Sequence, residues 1–118
     1  MEGVEILEVY VPARVEYLAN LYVWLREQLY SHPRPLLQGF SIYEVNGAFR
    51  GADQVYEERT AVIRVLLDAG GDTAKERSTH EARIGEIARQ FQEITKGQEE
   101  ELWLVRIPAH RTIVPGAD

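Results

Sequence analysis

Cysteine is absent from the 118 residues. That excludes thiol nucleophiles, disulfides and cysteine-ligated metals, and it agrees with a cytoplasmic protein. Lysine is nearly absent too: Lys75 and Lys96 stand alone, and the remaining positive charge is arginine. Thirteen basic and 19 acidic side chains leave a formal charge of −6. Binding to nucleic acid requires a basic footprint that displaces counterions, and no Lys/Arg cluster offers one, so nucleic acid is excluded as a partner. No apolar run approaches the roughly 18 residues of a membrane helix, so no membrane association is expected. The opening "MEGVEILEVYVP" is too acidic, and too short of an apolar segment, to read as a signal peptide.

Catalytic signatures are missing as well. Ser31, Ser41 and Ser78 lie in no glycine-framed nucleophile turn. "DAGGDT" at 68–73 precedes a helix but lacks the Gly-Lys-Ser/Thr ending of a phosphate loop, and Asp68 and Asp72 would repel a phosphate. His32, His80 and His110 lie far apart, with no pair at the spacing of a helical metal site. Glu57 and Glu58 are adjacent on a strand and face opposite ways, so they form no carboxylate pair. No metal site is expected, and no cofactor is indicated.

What is present is a pattern of secondary structure. "VEILEVYVP" reads as a strand ended by Pro12. Val15, Leu18, Leu21, Tyr22, Leu25 and Leu29 form one stripe of a helix over about 14–30, stopped by Pro33 and Pro35. Tyr17 and Trp24, seven apart, predict a second apolar face that meets another subunit. "GFSIYEV" and the run from Val55 to Leu67 alternate as strands. The second places Ala61, Ile63, Val65 and Leu67 on one face and Tyr56, Glu58, Thr60, Val62, Arg64 and Leu66 on the other. Ile84, Ile87, Ala88, Phe91 and Ile94 mark a second helix with Gly97 at its C-terminal cap. Its start fits either Thr73 with Glu76 or Ser78 with Glu81. "EEELWLVRIPA" is a final strand stopped by Pro108, and "HRTIVPG" offers a short edge strand.

The order β-α-β-β-α-β, with helices amphipathic on one side only, predicts a ferredoxin-like α+β sandwich. A four-stranded antiparallel sheet would carry both helices on one face, in a single domain over 1–118. The other face is too apolar to stay wet, which predicts a homo-oligomer. Between the central strands, Asn46-Gly47 could make a tight hairpin turn, or residues 46–54 could form a protruding ribbon tipped by Phe49 and Arg50. Phe49 then either marks an interface or tucks back onto the sheet.

The stretch "SIYEVNGAFRGADQVYEERTAVIRV" resembles the central hairpin of the divalent-cation-tolerance (CutA-type) family. That family belongs with the PII-type regulators to a ferredoxin-like, typically trimeric group. The resemblance implies a trimer rather than a dimer and a ligand- or metal-responsive module. Arg50, Glu57, Arg59 and His80 are the candidate contacts in a cleft between subunits, where arginine would suit an anionic small molecule. Surface ion pairing is the plainer role for those arginines. Two alternatives stand beside this reading. One is a cofactor-independent dimeric enzyme with Tyr43, Tyr56, Trp103 and His110 lining an apolar pocket on the sheet. The other is a purely structural assembly protein.

Overall fold

The computed structural model describes residues 2–31, 36–68, 71–95 and 102–116. Its elements run β1 (Glu2–Pro12), α1 (Val15–Leu29), β2 (Gly39–Arg50), β3 (Val55–Asp68), α2 (Ala74–Thr95) and β4 (Trp103–Arg111). The strands form one antiparallel sheet in the order β2-β3-β1-β4. This is the ferredoxin-like arrangement the sequence predicts. Alternation sends Leu7, Val9 and Val11 of β1, with Ala61, Ile63, Val65 and Leu67 of β3, toward the helices, and all seven are buried. They meet Leu21 and Leu25 of α1 and Ile84, Ile87 and Phe91 of α2 in one cluster. No helix among the described residues is long and apolar enough to cross a membrane.

α1 is turned about its axis relative to the expected stripe. Tyr17, Leu21 and Leu25 are buried, and Trp24 packs partly against the core. Val15 and Tyr22 are instead 82% and 51% exposed. Tyr17 and Trp24 therefore do not form a second, subunit-facing stripe. A helix with apolar residues on two flanks buries the larger surface, and Tyr and Trp carry more of it than Val. Arg14 caps the arrangement, with its guanidinium 5.4 Å from the centre of the Tyr17 ring.

The ambiguous start of α2 is settled at Thr73. The Glu76 amide donates to Thr73 Oγ1 at 3.1 Å, and the Thr73 amide donates to Glu76 Oε1 at 3.4 Å, a reciprocal capping box. Thr73→Ala should therefore cost about 1 kcal/mol, measured by urea unfolding, while Ser78→Ala should leave the midpoint nearly unchanged. Gly97, the expected C-terminal cap, lies outside the described residues, as do Pro33 and Pro35, the expected stop of the first helix.

Two expectations fail at β4. Pro108 does not stop the strand but sits inside it, paired with Glu5. β4 is at the sheet margin, where a residue lacking an N–H is tolerated on the outward side. Residues 112–116 then add no edge strand.

Candidate functional site

The connection between β2 and β3 is the long ribbon, not the tight hairpin. β2 continues through Asn46-Gly47 to Arg50, and the chain reverses at 51–54, where the Gly51 amide donates to the Gln54 carbonyl at 2.8 Å. Phe49 does not project from the tip. Its ring lies 5.6 Å from that of Tyr10 and 5.3 Å from that of Trp103, centroid to centroid, so the ribbon bends back over the sheet. Gly47 makes room for this: a Cβ there would stand 2.7 Å from the Phe49 ring.

Arg50, Glu57 and Arg59 lie along this ribbon, all exposed. The pairing of Arg50 with Val55 and of Asn46 with Arg59 puts the three on one face of it. Arg59 Nε approaches Glu44 Oε1 at 3.6 Å, with both side chains well exposed, a loose surface pair. His80 is elsewhere. It lies on α2 against Glu5, which pairs with Leu67, eight positions along β3 from Arg59. At about 3.3 Å per residue that is roughly 26 Å of strand. The four predicted contacts therefore do not converge within one chain.

His80 belongs to a charged cluster absent from the sequence-based expectations. Glu5 occupies a helix-facing position of β1 and is 13% exposed, and His80 beside it is 11% exposed. His80 Nε2 stands 2.9 Å from Glu5 Oε1 and, next to a carboxylate, is the nitrogen that carries the proton and donates. His80 Nδ1 is buried without a hydrogen-bond partner among the described residues. Arg106, on the helix-facing side of β4, donates from Nη2 to Glu5 Oε1 at 2.8 Å and from Nη1 to Glu81 Oε2 at 2.8 Å. Its hydrogen bonds to Glu81 and Glu5 raise the guanidinium pKa further. The hydrogen bond from Arg106 in turn holds the Glu81 carboxyl below its ordinary range. The cluster ties the start of α2 to β1 and β4. With no nucleophile in it, its chemistry is that of a strut. One signal was available: in "VEILEVYV" the alternation turns Glu5 inward, where an unpaired carboxylate is costly.

The face of the sheet away from the helices is the other feature. It carries Tyr43, Val45, Val62, Leu66, Trp103 and Val105, with the Tyr10–Phe49–Trp103 aromatic group at one end. Tyr43 is 50% exposed, and Val45, Trp103 and Val105 are each 39% exposed. Among the described residues two charged pairs lie on it, Arg64 Nη2 donating to Glu8 Oε2 at 2.8 Å and, toward one end, Arg111 Nη2 at 3.8 Å from Asp68 Oδ1. Of the four residues suggested for an enzymatic pocket, Tyr43, Tyr56 and Trp103 share this face, but His110 pairs with Gly3 and points to the opposite one. Among the described residues, no group of three His, Asp or Glu side chains could hold a metal ion.

No protein-family model matches the chain, and neither does any curated protein. Solved structures do. The periplasmic divalent cation tolerance protein CutA from Archaeoglobus fulgidus superposes with a TM-score of 0.63 at 11% identity, covering 93% of this chain and 87% of that one. The divalent cation tolerance protein from Thermus thermophilus gives 0.62 at 14% identity, with the same coverage of both chains. The divalent ion tolerance protein CutA from Ehrlichia chaffeensis gives 0.58 at 10% identity over 96% of this chain and 87% of that one. The first of these is periplasmic, which contradicts the cytoplasmic assignment drawn from composition. The error is physical: a chain without cysteine forms no disulfides in any compartment, so its absence does not discriminate between them. The resemblance seen in the β2–β3 stretch thus extends over nearly the whole chain, which has the fold of the CutA divalent cation tolerance proteins.

Proposed function

We propose that the chain acts as a single-domain, self-assembling CutA-like module that responds to a small ligand, with the uncovered sheet face as the surface where copies meet. The apolar character of that face carries the reading. Helices cover only one side of the sheet, and large side chains stand half exposed across the other. Contiguous apolar surface of this kind marks an interaction site, and closed symmetric assemblies are the common way to cover it. The trimer implied by the family resemblance is the expected state.

Arg50, Glu57 and Arg59 lie on the helix side of the ribbon, opposite the contact face, so in such an assembly they would meet a neighbouring copy only at the rim, where the ribbon reaches past the sheet. That face carries two arginines with two carboxylates, Glu57 and the Glu44 that pairs with Arg59, so Arg50 is the contact best suited to an anionic small molecule. His80, held to Glu5, can join them only across a subunit boundary. The neighbours are divalent cation tolerance proteins, so divalent cations are the other ligand class to assay. Light-scattering mass and native mass spectrometry of the purified protein test the reading together. A trimeric mass that Val105→Lys reduces to one chain, with unchanged far-ultraviolet circular dichroism, is the expected result. A monomeric wild-type protein would sink it.

A further inference from the structure

The exposed side of α1 carries Glu16, Asn20, Arg26 and Glu27 but also far more large apolar surface than that of α2. On α2 the exposed positions are mostly polar or charged, including Lys75, Arg77, Ser78, Glu81, Arg89 and Glu93, as a solvated face should be. On α1, Val15 is 82% exposed, Tyr22 51%, Val23 55% and Tyr30, just past its end, 67%. Val15, Ala19, Tyr22 and Arg26 recur at spacings of four, three and four, the seam of a helix that packs on another helix. This stripe lies on the outer flank of the helix layer, where the Tyr22 ring meets Phe40 of β2 edge-on at 5.4 Å, and away from the uncovered sheet face.

We propose that α1 pairs antiparallel with α1 of a second copy of this chain. The stripe is self-complementary in that direction only. A two-fold axis between Tyr22 and Val23 sets Val15 against the partner's Tyr30, and Arg26 against the partner's Ala19. Long side chain thus meets short at each level. Glu16, one turn from Ala19 and exposed, comes within reach of the partner's Arg26. Arg26 lies over the ring of Tyr30 at 5.2 Å, and among the described residues neither Arg26 nor Glu16 has an ion-pair partner. A parallel pairing would oppose Arg26 to Arg26 and Glu16 to Glu16, which is unfavourable. The contact is isologous, as a two-fold interface must be. Fifteen residues make a helix of about 22 Å, so the area is at the small end for stable complexes. The pairing is weak between lone chains and gains strength where sheet-face assembly presents several α1 helices together.

The absence of cysteine allows a direct test of register. Val23→Cys lies near the proposed axis, within the roughly 4.4–6.8 Å Cα separation a disulfide needs. Val15→Cys would stand about 22 Å from its mate along the helix axis. Under mild oxidation of the full chain at roughly 1 mM, Val23→Cys should give a covalent dimer on non-reducing gels and Val15→Cys should not. Adding Arg26→Glu should slow cross-linking about tenfold, from two symmetry-related pairs each worth about threefold, and adding Glu16→Arg to that should restore it. The series is run in the Val105→Lys background as well, so that a failure of sheet-face assembly does not read as a failure here. Equal yields from the two cysteine variants, or no dimer from Val23→Cys, would overturn the pairing. Loss of cross-linking by Arg26→Glu without recovery in the charge-swapped variant would overturn the Arg26–Glu16 contact.

Discussion

Phe91→Ala is expected to remove about 3–5 kcal/mol of stability, a large share of the roughly 5–15 kcal/mol that holds a typical domain folded. Phe91 is 1% exposed, on the face of α2 that presses into the core alongside Ile84 and Ile87. Among the described residues one packed layer lies between helices and sheet, and Phe91 is the largest side chain fully buried in it. Deleting the ring removes its own transfer energy and leaves a cavity that β-strands, fixed by their ladders, cannot collapse to fill. Tyr22→Ala is the control: its ring touches Phe40 at 5.4 Å but stays half in water, and its loss should cost well under half as much. Urea unfolding followed by tryptophan emission distinguishes the two. Protein concentration must be held constant, because assembly shifts the midpoint by mass action.

The second large effect is expected at Arg106. Arg106→Ala leaves Glu5, 13% exposed, without the cation that neutralises it, and should cost about 2 kcal/mol. The figure sits below that for a fully buried pair because Arg106 is itself 37% exposed and partly screened. Replacing both partners by leucine should recover part of the loss, since no buried charge then remains. The pH dependence has a definite sign. Arg106 lowers the folded-state pKa of Glu81 from its ordinary 4.5, so the Glu81–Arg106 contribution is present above that value. It is lost as pH falls through the lowered value. The wild-type protein should therefore lose stability more steeply than Arg106→Ala on acidification below about pH 4.5, and equal acid slopes would contradict the arrangement.

Strand and helix order could be read from periodicity because both are local. In β3 the alternation of Ala61, Ile63, Val65 and Leu67 against Val62, Arg64 and Leu66 directly specifies which side is covered. The rotation of α1 was not legible, since Val15 and Tyr17 both fit an apolar stripe and only the shape of the underlying sheet chooses between them. The ribbon was ambiguous for a similar reason. Asn46-Gly47 carries the local chemistry of a tight turn, but Phe49 gains more by crossing Gly47 to reach Tyr10 and Trp103. Least legible was the charged cluster: Glu5, His80 and Arg106 are brought together by contacts spanning up to 101 positions, and nothing in the sequence around Arg106 announces its partners. The candidate contacts on the ribbon share a face, as adjacent-strand spacing requires, whereas His80 could not be placed without the fold.

Pro108 gives the sheet a direction. Along an edge strand alternate residues turn their amides outward, and proline, which has none, is confined to strands with one free side, so the margin formed by β4 is a poor template midway along its length. The margin formed by β2 has no proline from Gly39 to Arg50 and is continuous over twelve residues. A foreign or misfolded strand seeking a template finds one usable side and one spoiled one. Fibrils seeded on the intact fold would therefore be expected to grow from β2 alone.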